Sequence, residues 1–171
     1  EAKPAQHKAT ILFSGSAHAA ARAAAEELHA HFDVSAELWS ATSYKTLREE
    51  AVVTERWNRL HPTETPRVPR VTQLLSESSG PIVAVTDFVR SVPEQIGRYV
   101  GARTFTPLGT DGMGRSDTRE ALRDHFEVDM PHVVVTVLHE LALSGQISKS
   151  VVAEAITRYG IQTETLGALY A

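Results

Sequence analysis

Ala9-Thr10-Ile11-Leu12-Phe13-Ser14-Gly15-Ser16-Ala17 opens the fold: a short apolar run stopped by a glycine, with an alanine-rich stretch directly behind it. An apolar run of this length, bounded by a turn residue, reads as a buried strand. Over residues 17–31, Ala21, Ala24, Ala25, Leu28 and Phe32 recur at helical spacing and mark one apolar helix face. Alanines on that face let the helix lie close against a sheet. The stretch is therefore a strand, a turn and a helix.

Working outward, the same alternation repeats. Residues 34–40 read as a second strand, and Tyr44, Leu47 and Ala51 begin a helix that ends near Trp57 to Leu60. Residues 61–70, HPTETPRVPR, hold Pro62, Pro66 and Pro69 and read as a fixed, non-helical connector. A short helix over 71–76, a third strand over 81–86, a helix over 92–100 and a fourth strand over 104–108 follow. Asp117 and Glu120 stand at capping-box spacing, so a helix is expected from Asp117 through Phe126. Residues 131–144 are valine-rich, which favours strand. Val134, Val137, Leu138 and Leu141 nevertheless keep helical spacing, with Pro131 at the start and Gly145 at the stop, so a helix is expected. A last helix covers about 149–159. Strands alternating with helices imply an α/β domain of three layers, a mostly parallel sheet with helices on both faces. No composition shift divides residues 1–171, so one domain is expected, with 1–8 as a polar lead-in.

Composition excludes several function classes. At 171 residues the chain can bury a real core. A net charge of −4 argues against a nucleic-acid surface, which needs clustered Lys and Arg. With no cysteine there is no disulfide, thiolate metal site or thiol nucleophile. No apolar run approaches the roughly 20 residues that span a bilayer. A cytoplasmic address fits these features. The chain starts without Met and its first strand comes almost at once, which reads as a piece of a longer polypeptide.

The run Leu108-Gly109-Thr110-Asp111-Gly112-Met113-Gly114-Arg115-Ser116-Asp117 is the strongest candidate for contact with something else. It lacks the lysine of a phosphate-binding P-loop, and its glycine spacing is not that of a dinucleotide fingerprint. Asp111 and Asp117 lack the intervening ligands and closing Glu of a calcium loop. Arg115 with nearby N–H groups is a weak anion candidate. The favoured reading is a rigid loop that docks on a partner, with Asp117 as helix N-cap. Ser14, Gly15 and Ser16 form a second weak ligand candidate at a strand-to-helix turn, with helix N-cap the ordinary role of Ser16. His139-Glu140 begins like a zinc-protease motif, but position 143 is Leu. His29 and His31 are two apart, and His125 and His132 flank a helix break, so no histidine group shows three ligands. Trp39 and Trp57 read as packing residues. In Glu55-Arg56-Trp57-Asn58-Arg59-Leu60-His61-Pro62 the charges read as helix-end pairing. No catalytic constellation stands out.

The strings ERWNRLHPTETPRVPRV, VAVTDFVRSVPEQIGRYV, LGTDGMGRSDTREALRDHFEVD and HVVVTVLHELALSGQI resemble the homodimeric bacterial pyruvate dehydrogenase component, thiamine-dependent and decarboxylating. The resemblance covers nearly the whole chain and only the family's C-terminal domain. Transketolases share the fold but carry a shorter, differently worded loop. The resemblance implies a mixed, mostly parallel five-stranded sheet and a role in building the dimer. It implies a parent enzyme that uses thiamine diphosphate and magnesium, releases carbon dioxide from pyruvate and passes the acetyl unit to lipoyl-acyltransferase. Other domains of that enzyme and a second copy are the implied partners. The cofactor signature, Gly-Asp-Gly followed by an Asn pair, is missing, since Asn58 is the only Asn. Catalytic, cofactor-binding and metal residues are therefore expected to be none in this chain, and the domain alone inactive. Met113 stands where the family usually has Phe, an apolar plug of softer shape.

Overall fold

Two interleaved sets of strand residues set up the layers. The computed structural model describes residues 5–170, so the first half of the polar lead-in lies outside the described residues. Four strands, β1 (His7–Phe13), β2 (Val34–Ser40), β3 (Ile82–Val85) and β4 (Phe105–Leu108), form one sheet in the order β2-β1-β3-β4. All three pairings are parallel, with Thr10 opposite Ile82 and Ile82 opposite Phe105. Because side chains alternate across a strand, Ala9, Ile11, Val83 and Val85 join one core, while Leu12, Ile82 and Ala84 join the other.

The first core is closed by α1 (His18–Phe32), α6 (Met130–Leu143) and α7 (Lys149–Tyr159). Ala21 and Ala24 are fully buried, so α1 meets the sheet through small side chains, as its spacing predicts. The second core is closed by α2 (Tyr44–Leu60), α3 (Arg70–Leu75) and α4 (Ser91–Glu94). The remaining helix, α5 (Arg119–His125), has no buried residue.

Three expectations need correction. The sheet has four strands among the described residues, all parallel, instead of five in a mixed sheet. The valine-rich 131–144 supplies no further strand because Asp129 caps a helix there and Val133, Val134, Val137, Leu138 and Leu141 are wholly buried on it. The single helix expected over 92–100 is two short pieces, α4 and a 3-10 turn at Gly97–Tyr99. Phe105 packs against the backbone of Gly97, where a Cβ would come within 3.2 Å of its ring. Asp117 does not cap α5. The N-cap is Thr118, whose hydroxyl accepts from the Ala121 N–H at 3.2 Å. Asp117 instead accepts from the Thr118 N–H at 2.8 Å and pairs with Arg115 at 3.1 Å. Glu120 then falls one position short of capping-box spacing.

Candidate functional site

In an open parallel sheet the natural ligand crevice lies beyond the strand C-termini, where the order reverses. Here that place is between β1 and β3, beside Ser14, Gly15 and Ser16. The Ser14 and Thr86 hydroxyls meet at 2.7 Å, and the Ser16 N–H donates to the Asp87 carboxylate at 3.0 Å. Gly15 has φ +60°, and a Cβ on it would collide with that carboxylate. Ser16 is not the expected cap: it lies inside a 3-10 turn at Gly15–Ala17, and the N-cap of α1 is Ala17, with no side-chain cap bond. Asp87, 71 residues away, takes the Ser16 backbone N–H, which would otherwise face an anion.

The loop after β4 begins just as firmly. Thr110 donates its N–H to the Phe88 carbonyl at 2.9 Å and its hydroxyl to the Asp87 carbonyl at 3.0 Å. Asp111 accepts from the Arg90 N–H and side chain. Gly109 lies against the backbone of Phe88 to Arg90, and Gly112, at φ +102°, against Ala168 and Leu169. From Gly112 onward the character changes: residues 112–120 are exposed without a break, with Met113 at 77%. Ser116 and Gly114 sit in this open half, and among the described residues Arg115 pairs with Asp117 alone. Around the same end of the sheet, Phe88, Val89, Leu166, Leu169 and Tyr170 are exposed as well. The C-terminal segment joins this surface through Gly112, a contact that no periodicity in 160–170 announces.

One group of potential ligands was not legible from spacing. Asp124, Asp129 and His132 bring donor atoms within 4.8 Å of one another, because Glu127 turns the chain with φ +57° between α5 and α6. Two of the three are already engaged: Asp129 caps α6 through the His132 N–H and meets His132 Nδ1 at 2.6 Å. Burial works to depress His132, but the hydrogen bond to Asp129 and the charges of Asp129, Glu127 and Asp124 raise it above its ordinary value. Asp124, Glu127 and His132, with Arg115, His125 and Gln162, line a polar cleft of about 350 Å³. Glu140, read as part of a broken zinc motif, is buried and accepts from Thr106 at 2.6 Å, tying α6 to β4. His31 meets Glu27 at 3.2 Å, and His125 lies edge-on to Phe126. Trp39 lines an apolar hollow of about 340 Å³ with Leu12, Leu47 and Val71, in keeping with a packing role.

Asp111, the only start of a cofactor signature, is held by Arg90, and Asn58 is bonded to the Arg67 backbone.

Residues 1–129 match the model of the transketolase-like C-terminal domain. The chain is 46% identical over 157 residues to the pyruvate dehydrogenase E1 component of Escherichia coli K12, covering 92% of this chain and 18% of that protein. It is 43% identical over 162 residues to the Pseudomonas aeruginosa protein of the same name, covering 95% of this chain and 18% of the relative. For the Mycobacterium tuberculosis protein the figures are 45% over 155 residues, 91% and 17%. The chain thus spans less than a fifth of these relatives' length. A split-gene transketolase described as an inactive β4 tetramer shares the fold at a TM-score of 0.56 and 19% identity, over 82% of this chain and 44% of that one. Among the described residues no helix is long and apolar enough to cross a membrane. The chain belongs to the transketolase-like C-terminal domain family.

Proposed function

We propose that this chain is the C-terminal scaffold domain of a cytoplasmic pyruvate dehydrogenase decarboxylating component. The parent enzyme converts pyruvate to carbon dioxide and passes the acetyl unit to the lipoyl group of an acyltransferase. Thiamine diphosphate and magnesium belong to other domains of that parent, and the working unit is a homodimer. The carbanion chemistry is the cofactor's, and protein domains supply its placement. The support for this reading is that relatives at 43–46% identity are named pyruvate dehydrogenase E1 component.

The observation that carries the scaffold reading is the division of labour at the strand ends. The crevice beside Ser14 to Ser16 is filled by Asp87, which counts against the alternative of a phosphate-binding regulatory module. The loop from Gly109 to Asp117 is anchored at its start and presents Met113, Gly114, Arg115 and Ser116 outward beside Phe88, Leu169 and Tyr170. An exposed apolar group of this kind marks a contact surface, and its occupant is another domain or the second copy of the same enzyme. Titration calorimetry of the chain with thiamine diphosphate and magnesium is expected to give no heat of binding. Tight stoichiometric binding would overturn the scaffold assignment.

A further inference from the structure

Away from the strand ends, one motif has a structure that neither packing nor the scaffold role uses. Glu55 does not pair along its own helix: it reaches Arg98 at 2.7 Å and the Tyr99 hydroxyl at 3.0 Å. Its neighbours Trp57, Asn58 and His61 all serve to place Arg67. Asn58 spends both ends of its amide on the Arg67 backbone, accepting from the N–H at 2.8 Å and donating to the carbonyl at 2.9 Å. The Arg67 guanidinium lies 3.7 Å from the centroid of the Trp57 ring. His61 stacks on the same ring system at 4.4 Å and bonds to the Trp57 carbonyl at 2.8 Å.

A guanidinium stacked on an aromatic face keeps its in-plane N–H fork free, and little further rotamer freedom is lost when that fork binds. Yet Arg67 is exposed and has no ion-pair partner among the described residues. Arg48, Arg56, Arg59 and Arg70 are likewise exposed and without an ion pair there. Between Arg48 and Arg70 five arginines face four acids, of which Glu49 pairs with Lys45, Glu55 with Arg98, and Glu50 accepts from the Arg70 N–H, so the stretch carries an excess of positive charge in a chain of net charge −4. Apolar side chains interleave it. Val53 and Leu60, at 66% and 54% exposure, flank Trp57 along α2, and Val68 is 49% exposed beside Arg67. Along α2, Val53 and Leu60 stand about 10 Å apart, which an extended segment covers in roughly three residues.

We propose that the outer face of α2 and the connector after it form a docking surface for an acidic segment of a partner polypeptide. Arg67 receives a carboxylate through its free fork, Arg56 and Arg59 add attraction, and Val53 and Leu60 take the apolar side chains between the acids. The interleaved valines and leucine favour a peptide over a phosphodiester chain, which would ask for more charge and aromatic platforms. The surface is independent of the scaffold reading and lies on other elements.

The test uses fluorescence anisotropy of a short fluorescein-labelled peptide alternating Glu or Asp with Leu, added to the chain. Saturable, salt-sensitive binding is expected, weakened at least about tenfold by Arg67→Ala. Arg67→Lys keeps the charge but loses the stacked fork, and is expected to recover only part of the affinity. Far-UV circular dichroism checks that both variants fold. Equal binding by Arg67→Ala, or by a peptide with Gln in place of the acids, would overturn the proposal. Tighter binding of a single-stranded oligonucleotide would overturn it too. So would a change in the chain's own sedimentation on Arg67→Ala, since the occupant would then be a second copy.

Discussion

Two glycine-bearing turns at the same end of the sheet meet opposite fates. The turn after β1 is closed inward, with Gly15 allowing the Asp87 carboxylate to take the Ser16 N–H. The loop after β4 is anchored by Thr110 and Asp111 and then left open from Gly112 to Glu120. In many α/β proteins the first place holds the ligand and the second is a connector. Here the crevice is satisfied from within and the connector carries the exposed surface. Glycine in a strand-end turn therefore says that something approaches closely, and only the structure says whether it is the chain itself.

The largest effect that tests this contrast is a glycine pair. Gly15→Ala must hold a side chain at φ +60° and push into the Asp87 carboxylate, so a loss of about 2–4 kcal/mol in urea unfolding is expected. Gly114→Ala meets nothing within 4 Å and should stay within about 0.5 kcal/mol. Comparable losses at both positions would erase the distinction. Next come the caps: Asp87→Ala removes the long-range acceptor and should cost about 1–2 kcal/mol, while Thr118→Ala should cost about 1 kcal/mol. Asp117→Ala, one residue before the true cap, should cost less than Thr118→Ala in the same urea series. The reverse order would reinstate Asp117 as the cap.

The smallest effect lies between the two regions, at the α5–α6 turn. The raised pKa of His132 means that its protonated form is favoured by folding. That contribution is fully present below about pH 6.5, the unfolded value, and is lost as pH rises through the higher folded value. An NMR titration should place the His132 midpoint above 6.5, and Asp129→Asn should bring it down. A midpoint unmoved by Asp129→Asn would show that the 2.6 Å contact does not govern the ring.

What was legible in the sequence follows from the range of each interaction. Strand and helix identity rests on local periodicity, so β2 and α2 fall where their apolar spacing places them, and α6 is a helix despite its valines. Spacing to Glu120 marks Asp117 as the cap, but the structure gives that role to Thr118. The Asp117 carboxylate is instead engaged by Arg115 and the Thr118 N–H. Ser16 was misjudged because a 3-10 turn at Gly15–Ala17 precedes α1 and moves the cap position to Ala17. The Asp124, Asp129 and His132 group depends on a left-handed backbone at Glu127, which no spacing rule anticipates. The contact of Gly112 with Ala168 depends on a segment without periodicity. The four-stranded sheet differs from the five strands implied by resemblance, a reminder that resemblance carries a whole family's average onto one chain.

A loop after β4 that joins another domain or copy loses amide hydrogen exchange over residues 112–118 when that partner is present. The measurement compares this chain with the proposed full-length pyruvate dehydrogenase component. Fast exchange in the isolated chain, slowed at least about tenfold in the whole enzyme, is the predicted result. Equal rates in both, with the turn at Ser14 to Ala17 protected throughout, would contradict the account.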